Sequence, residues 1–134
     1  MKSDKTREVA IKVVKAEALG ATAKNEINTW KALAGKFNHP NILKIYTIYQ
    51  SSSSMYIIME YCNDGDLEGY LKKKKKITED EATKVLQATI SGLAYMNKYD
   101  IIHRDVKPAN LIIAKGVYKI CDYGLCKVID KKTY

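Results

Sequence analysis

Apolar and polar positions along the chain fall into short runs, each with its own period. Val9-Ala-Ile-Lys-Val-Val14 is short, apolar and rich in β-branched residues, which predicts a strand. Ser3-Asp-Lys-Thr6 before it has turn chemistry and predicts a hairpin leading in. From about Thr22 to Lys36, Ile27, Trp30 and Leu33 or Ala34 recur at helical spacing, and Gly35 is an end signal. His39-Pro40-Asn41 then breaks the chain, because proline disfavours helix at the residue before it. Ile42–Gln50 and Met55–Tyr61 read as two aromatic-rich strands joined through a hairpin loop of serines.

Past the turn signal Asp64-Gly65, Leu67, Tyr70 and Leu71 predict a short helix. Thr78-Glu-Asp-Glu81 is a capping box, in which the Thr and Glu side chains each satisfy the other's orphan amide. Val85, Leu86, Thr89, Leu93 and Met96 continue one face, which predicts a helix of about five turns. Short β pieces follow at Ile101-Ile102, Leu111–Ala114 and Tyr118–Cys121, with Lys115-Gly116 turning between the last two. This order predicts an α+β fold: a small sheet with one helix, then helices with short hairpins.

Composition narrows the class. The chain has 134 residues, is 46% apolar and holds only nine Gly and Pro, which excludes disordered and fibrous chains. No apolar run approaches the ~18 residues of a membrane span, and the charged first twenty residues do not form a secretory signal. The net charge is +8, but the five lysines Lys72–Lys76 carry most of it, and without them +3 remains. Such a run reads as a solvated face, with nuclear import or an anionic partner as the alternatives. No aromatic residues interleave with it, so no nucleic acid is expected. Cys62, Cys121 and Cys126 cannot all pair internally and suit reduced thiols in the cytoplasm, the nucleus being possible; their spacing does not suit zinc.

Candidate chemistry sits in three strings: Val9-Ala10-Ile11-Lys12, His103-Arg104-Asp105-Val-Lys107-Pro108-Ala-Asn110, and Asp122-Tyr123-Gly124. Together, and in this order, they resemble the eukaryotic protein kinase family over nearly the whole chain. The resemblance implies a two-lobed kinase-like fold, with an N-lobe over about residues 1–61 and the start of the C-lobe over about 62–134. It implies ATP and Mg²⁺ as cofactors and a protein Ser/Thr hydroxyl as acceptor, with no membrane partner. Phosphoryl transfer asks mainly for positioning and charge neutralisation. By this resemblance Asp105 accepts the hydroxyl proton, Lys107 meets the transferring phosphate, and Asn110 and Asp122 hold the metal. Lys12 holds the α/β-phosphates, with Glu26 as its acidic partner and Glu17 as the rival. The form Asp105-x-Lys107-Pro-x-Asn110 is that of serine/threonine kinases.

Around the adenine the resemblance places Met59 as gatekeeper, backbone groups of Glu60 and Cys62 on the ring edge, and Ala10 and Ile112 over its two faces. Ala10 and Ile112 suit an ordinary core equally well. Asp66 reads either as a ribose contact or as the N-cap of the next helix. Tyr123 stands where the family has phenylalanine, and its hydroxyl needs a partner when buried. His103, Tyr123, Ile45 and Trp30 would form one column, while His39 reads as a turn-packing residue. A Gly-rich loop is not found before Val9, nor an Ala-Pro-Glu element after Gly124. The expectation is therefore a partial kinase domain of low stability and little activity alone, with a non-catalytic kinase-fold scaffold as the alternative.

Overall fold

A computed structural model describes residues 8–15, 30, 31, 33–35 and 37–129. The expected entry hairpin at Ser3–Thr6, Glu17, Glu26 and most of the first helix lie outside the described residues. The end of that helix is within them: Ala34 N–H donates to Trp30 O at 2.9 Å. Gly35 then takes φ 73°, the left-handed conformation that terminates helices with little strain for glycine.

Strands β1 (Val9–Lys15), β2 (Ile45–Gln50) and β3 (Ser54–Glu60) form an antiparallel sheet in the order β1-β3-β2. The register sets Ala10 opposite Met59, Lys12 opposite Ile57 and Val14 opposite Met55. Side chains alternate across a strand, so these six share the inner face, where Ile57 and Met55 are fully buried. Val9, Ile11 and Val13 take the outer face and are exposed. The β2–β3 loop is held by Ser51, whose hydroxyl oxygen accepts the Ser54 N–H at 3.0 Å.

Two helices follow: α1 (Leu67–Lys74), capped by Asp66, and α2 (Glu79–Asn97), opened by the complete Thr78/Glu81 capping box. Four short strands follow among the described residues. Here β4 (Ile101–Ile102) pairs with β7 (Lys127–Val128), and β5 (Leu111–Ala114) pairs with β6 (Val117–Ile120). The β5–β6 turn has positive φ at both central residues, 50° at Lys115 and 76° at Gly116. That geometry matches the right-handed twist of the flanking strands.

The first sheet meets the second half of the chain along residues 41–43. Ile120 N–H donates to Asn41 O and Leu43 N–H to Ile120 O, both at 2.9 Å, and the Asn41 amide donates to Tyr118 O at 3.0 Å. Ile42 therefore bridges Ile120 in parallel rather than opening β2, which begins at Ile45. One apolar core runs through this junction, from Trp30, Leu33 and Phe37 to Met96, Leu111 and Tyr123.

The expected face of α2 is only partly correct. Val85 and Met96 are buried with Gly92 between them, but Leu86 is 61% exposed. Among the described residues no helix is long and apolar enough to cross a membrane.

Candidate active site

The alternation of β1 puts Lys12 on the inner face of the sheet, opposite the buried Ile57. Its amine meets a residue 110 positions later: Lys12 Nζ lies 3.2 Å from Asp122 Oδ1. The same amine stands 5.5 Å from the centroid of the Trp30 ring. Asp122 has φ 58°, a left-handed conformation costly for a residue with a Cβ, and Gly124 N–H steadies its Oδ1 at 3.3 Å.

Tyr123, next along this turn, is fully buried. Its hydroxyl shares a proton between Ile120 O at 2.8 Å and Leu43 O at 2.9 Å, which supplies the partner that burial demands. Trp30 packs edge-on against its ring at 5.6 Å, and His103 does so from another side at 6.1 Å.

The 103–110 string is built as a self-bonded loop. The Cys121 carbonyl can only accept, so His103 Nε2 carries the proton of their 2.9 Å bond. His103 Nδ1 then accepts Asp105 N–H at 3.2 Å. Arg104 has φ 67°, and its Nε donates to Leu125 O. Pro108 opens a 3-10 turn that brings Asn110 back over the loop, where its side-chain amide donates to both Asp105 O and Asp105 Oδ2 at 2.8 Å. Lys107 Nζ also reaches Asp105 Oδ2, at 2.9 Å. The Lys107 ammonium first, and then the Asn110 amide, hold the Asp105 carboxyl below the usual aspartate range. Asp105 in turn raises Lys107, with a smaller contribution from the charge of Asp122.

A backbone hydrogen bond adds to the His103 and Arg104 bonds in joining the two halves of the site. Cys121 N–H donates to Asn110 O at 2.9 Å, which sets Asp122 beside the loop carrying Asp105, Lys107 and Asn110. The donor set there fits a hard cation. Both Asn110 amide hydrogens face Asp105, which leaves its side-chain oxygen for other use, and Asp122 Oδ2 is likewise uncommitted. Among the described residues no group of three or more His, Cys, Asp or Glu side chains is arranged to hold a metal. An ion bound between Asn110 and Asp122 would therefore complete its shell with water and phosphate oxygens, the usual habit of Mg²⁺.

The residues expected around the adenine divide. Ala10 and Met59 are register partners on the inner face, and both are half-buried. Ile112 is half-buried in β5 and forms a bridge with Asp66. The N–H of Glu60 is taken by Lys44 O at 2.9 Å, and its carboxylate pairs with Lys119 at 3.0 Å. The Glu60 N–H is thus not available to a ring edge, while Cys62 N–H is taken by no backbone carbonyl among the described residues. Burial, then Glu60, pushes the Cys62 thiol up. Asp66 caps α1, its Oδ1 accepting Gly69 N–H at 2.8 Å. His39 behaves as expected of a turn residue, with Nδ1 accepting Asn41 N–H at 3.1 Å. Sequence reasoning did not find the contact of Trp30 with Lys12, and no local signal marks it.

These features coincide with clear relationships to known proteins. A family model described as "Protein kinase domain" matches residues 1–134. The carbon catabolite-derepressing protein kinase of Secale cereale is 35% identical over 127 residues, which cover 90% of this chain and 25% of that protein. The serine/threonine-protein kinase PLK4 of Drosophila virilis is 32% identical over 127 residues, covering 92% of this chain and 16% of that one. The serine/threonine protein kinase OSK3 of Oryza sativa subsp. indica is 38% identical over 94 residues, or 69% and 18% of the two chains. The chain spans a quarter or less of the length of these relatives. With a match across its whole length and motifs that fold into one site, this chain belongs to the protein kinase family.

Proposed function

We propose that this chain carries the catalytic centre of a protein serine/threonine kinase, which moves the γ-phosphoryl group of ATP to a Ser or Thr hydroxyl of a protein. The observation that carries this reading is the bond from Cys121 N–H to Asn110 O, because it brings the Lys12–Asp122 pair beside Asp105, Lys107 and Asn110. Residues of about 1–61 form the N-lobe in this reading, and those of about 62–134 the beginning of the C-lobe.

Each group has a task. Asp105 Oδ2 is committed to Asn110 and Lys107, so Oδ1 is the oxygen left to accept the substrate proton. The hydroxyl oxygen forms the new bond to phosphorus, the bond to the ADP oxygen breaks, and the hydroxyl proton passes to Asp105. Lys107 stands close enough to Asp105 to offset charge on the transferring group. Lys12 supplies a cation for the α/β-phosphates, and Asn110 with Asp122 supplies oxygen donors for a metal. Bound Mg²⁺ would neutralise phosphate charge that Lys12 and Lys107 alone leave uncompensated. Ala10 and Ile112 would enclose the adenine, with Met59 behind it, the Glu60 carbonyl and Cys62 N–H along its edge, and Asp66 near the ribose. Glu26 is proposed as the acidic partner of Lys12. The serine/threonine names of the relatives and the Asp105-x-Lys107-Pro form support the acceptor class. Three unpaired cysteines suit a reducing cytoplasm or nucleus.

Transfer of labelled phosphate from Mg-ATP to a mixed Ser/Thr and Tyr peptide substrate tests the proposal. Wild-type protein should label Ser/Thr, and Asp105→Asn should lower the rate at least about 100-fold, the scale of a lost general base. Equal labelling by both proteins would leave the non-catalytic scaffold as the function.

A further inference from the structure

Among the described residues, Lys12 has a carboxylate at 3.2 Å and an indole ring at 5.5 Å. Asp122 is a weak anchor by itself, and Glu26, the acidic partner proposed above, lies outside the described residues. The Lys12–Asp122 pair is open to solvent, each side chain being 45% exposed, and Asp122 is also the only carboxylate proposed to meet the metal. Any cation that draws on Asp122 loosens its hold on Lys12. An indole face attracts an ammonium through its quadrupole and does not compete for a metal cation's inner shell.

The ring is also well fixed. Trp30 is 4% exposed and sits in the last helical turn before Gly35. It packs at 72° against Tyr123, which is itself tied by its hydroxyl to Leu43 O and Ile120 O. Tryptophan and tyrosine together thus make a rigid wall reaching from the 41–43 junction to the amine of Lys12.

We propose that Trp30 is a positioning residue for Lys12, holding the amine at the phosphate site while Asp122 is shared with a metal. The functional part of this inference rests on the kinase reading above; the contact itself does not. Trp30 touches no reacting atom; beyond its packing on Tyr123, it acts on the site through the Lys12 amine. Loss of the ring should weaken nucleotide binding more than it slows transfer, since a mispositioned cation is felt first in phosphate affinity.

The test begins with the full chain free of nucleotide. The Lys12 ε-methylene NMR signal, assigned by its loss in Lys12→Met, should lie upfield of other lysines because it stands over the indole face. Trp30→Leu should return it to the ordinary position, and Trp30→Phe should keep part of the shift. Mg-ATP affinity, measured by calorimetry, should fall about three- to tenfold in Trp30→Leu and less in Trp30→Phe. In a Lys12→Met background the Trp30 substitution should add nothing. An unshifted Lys12 signal in wild-type protein overturns the inference, as does an equal loss of affinity with or without Lys12. If wild-type protein bound no Mg-ATP, the kinase reading and the phosphate role would fail together, and the NMR shift would still decide the contact. If Trp30→Leu failed to fold, the wild-type shift and Trp30→Phe would still decide.

Discussion

Asp105 shows what two neighbours do to one carboxylate. Lys107 and Asn110 both favour its charged form by bonding to Oδ2, and Lys107 is the larger influence. Its folded value is therefore lower than in the unfolded chain. The stability it contributes is present above the ordinary aspartate value and is lost as pH falls through the lower folded one. Lys107→Met removes the larger influence and should move the Asp105 titration upward, towards the ordinary range. Carboxyl carbon NMR across the acid range reads this directly, and an unmoved midpoint would mean that Lys107 does not govern the group. At this scale the residues gathered in the candidate site could be singled out in the sequence, because Asp105, Lys107, Asn110 and Asp122 stand in fixed strings. The demand of Tyr123 for a hydroxyl partner was legible too, but not the acceptors, Leu43 O and Ile120 O. Leu43 lies 80 positions away, and only the folded chain brings it near. The same holds for Trp30 over Lys12, which depends on how a helix end, a strand and a turn meet.

Among the elements, the start of α2 was the most legible. The Thr78-x-x-Glu81 spacing is set by local helix geometry alone, and both capping bonds form, Glu81 N–H to Thr78 Oγ1 at 3.2 Å and Thr78 N–H to Glu81 Oε2 at 3.3 Å. What the spacing could not reveal is that Glu81 also ties α2 to α1. It accepts Tyr70 O–H at 2.6 Å and Lys74 Nζ at 2.8 Å, which employs part of the lysine run as a clasp. Lys74 first, then Tyr70 and the Thr78 N–H, pull the Glu81 carboxyl down from about 4.5 to about 2. A depressed carboxylate stabilises the fold above its unfolded value and loses that effect as pH falls through its folded value. The window here runs from about pH 4.5 down to about 2. Glu81→Gln should flatten the fall of the urea midpoint across that window, and added salt should shrink the difference between the two proteins because the clasp is surface-exposed. An unchanged pH profile would show the clasp to be energetically idle. The outward turn of Leu86 has the opposite lesson. Apolar residues lie on more than one side of α2, and the stripe that is buried is the one containing Gly92, which an apolar pattern passes over.

At the scale of the whole molecule, Gly92 is where α2 closes on the junction. A Cβ there would lie 2.8 Å from Asn41 O and 2.8 Å from Ile120 Cδ1. The isoleucine end can turn aside, but the carbonyl cannot, since Ile120 N–H holds it at 2.9 Å and the Asn41 side chain is itself tied to Tyr118 O. Gly92→Ala must therefore move the helix or the 41–43 strip. Alanine gains about 1 kcal/mol of helix preference over glycine, while overpacking costs about 1–3 kcal/mol. A net destabilisation of up to about 2 kcal/mol is expected on that balance, read as a lower urea midpoint with an unchanged slope. Gly69 in α1 is the control. A Cβ there meets nothing closer than Asp66 Oδ1 at 3.5 Å, an ordinary contact, so Gly69→Ala should stabilise by up to about 1 kcal/mol. The two substitutions share their chemistry and differ only in what faces the methyl group. On the proposed kinase function, the Gly92 variant should also bind Mg-ATP more weakly, because the displaced Asn41–Leu43 strip holds Ile120 and the Tyr123 hydroxyl, and through them the turn bearing Asp122. If both variants shifted the midpoint in the same direction, close approach at Gly92 would not be what joins the sheet to the helices.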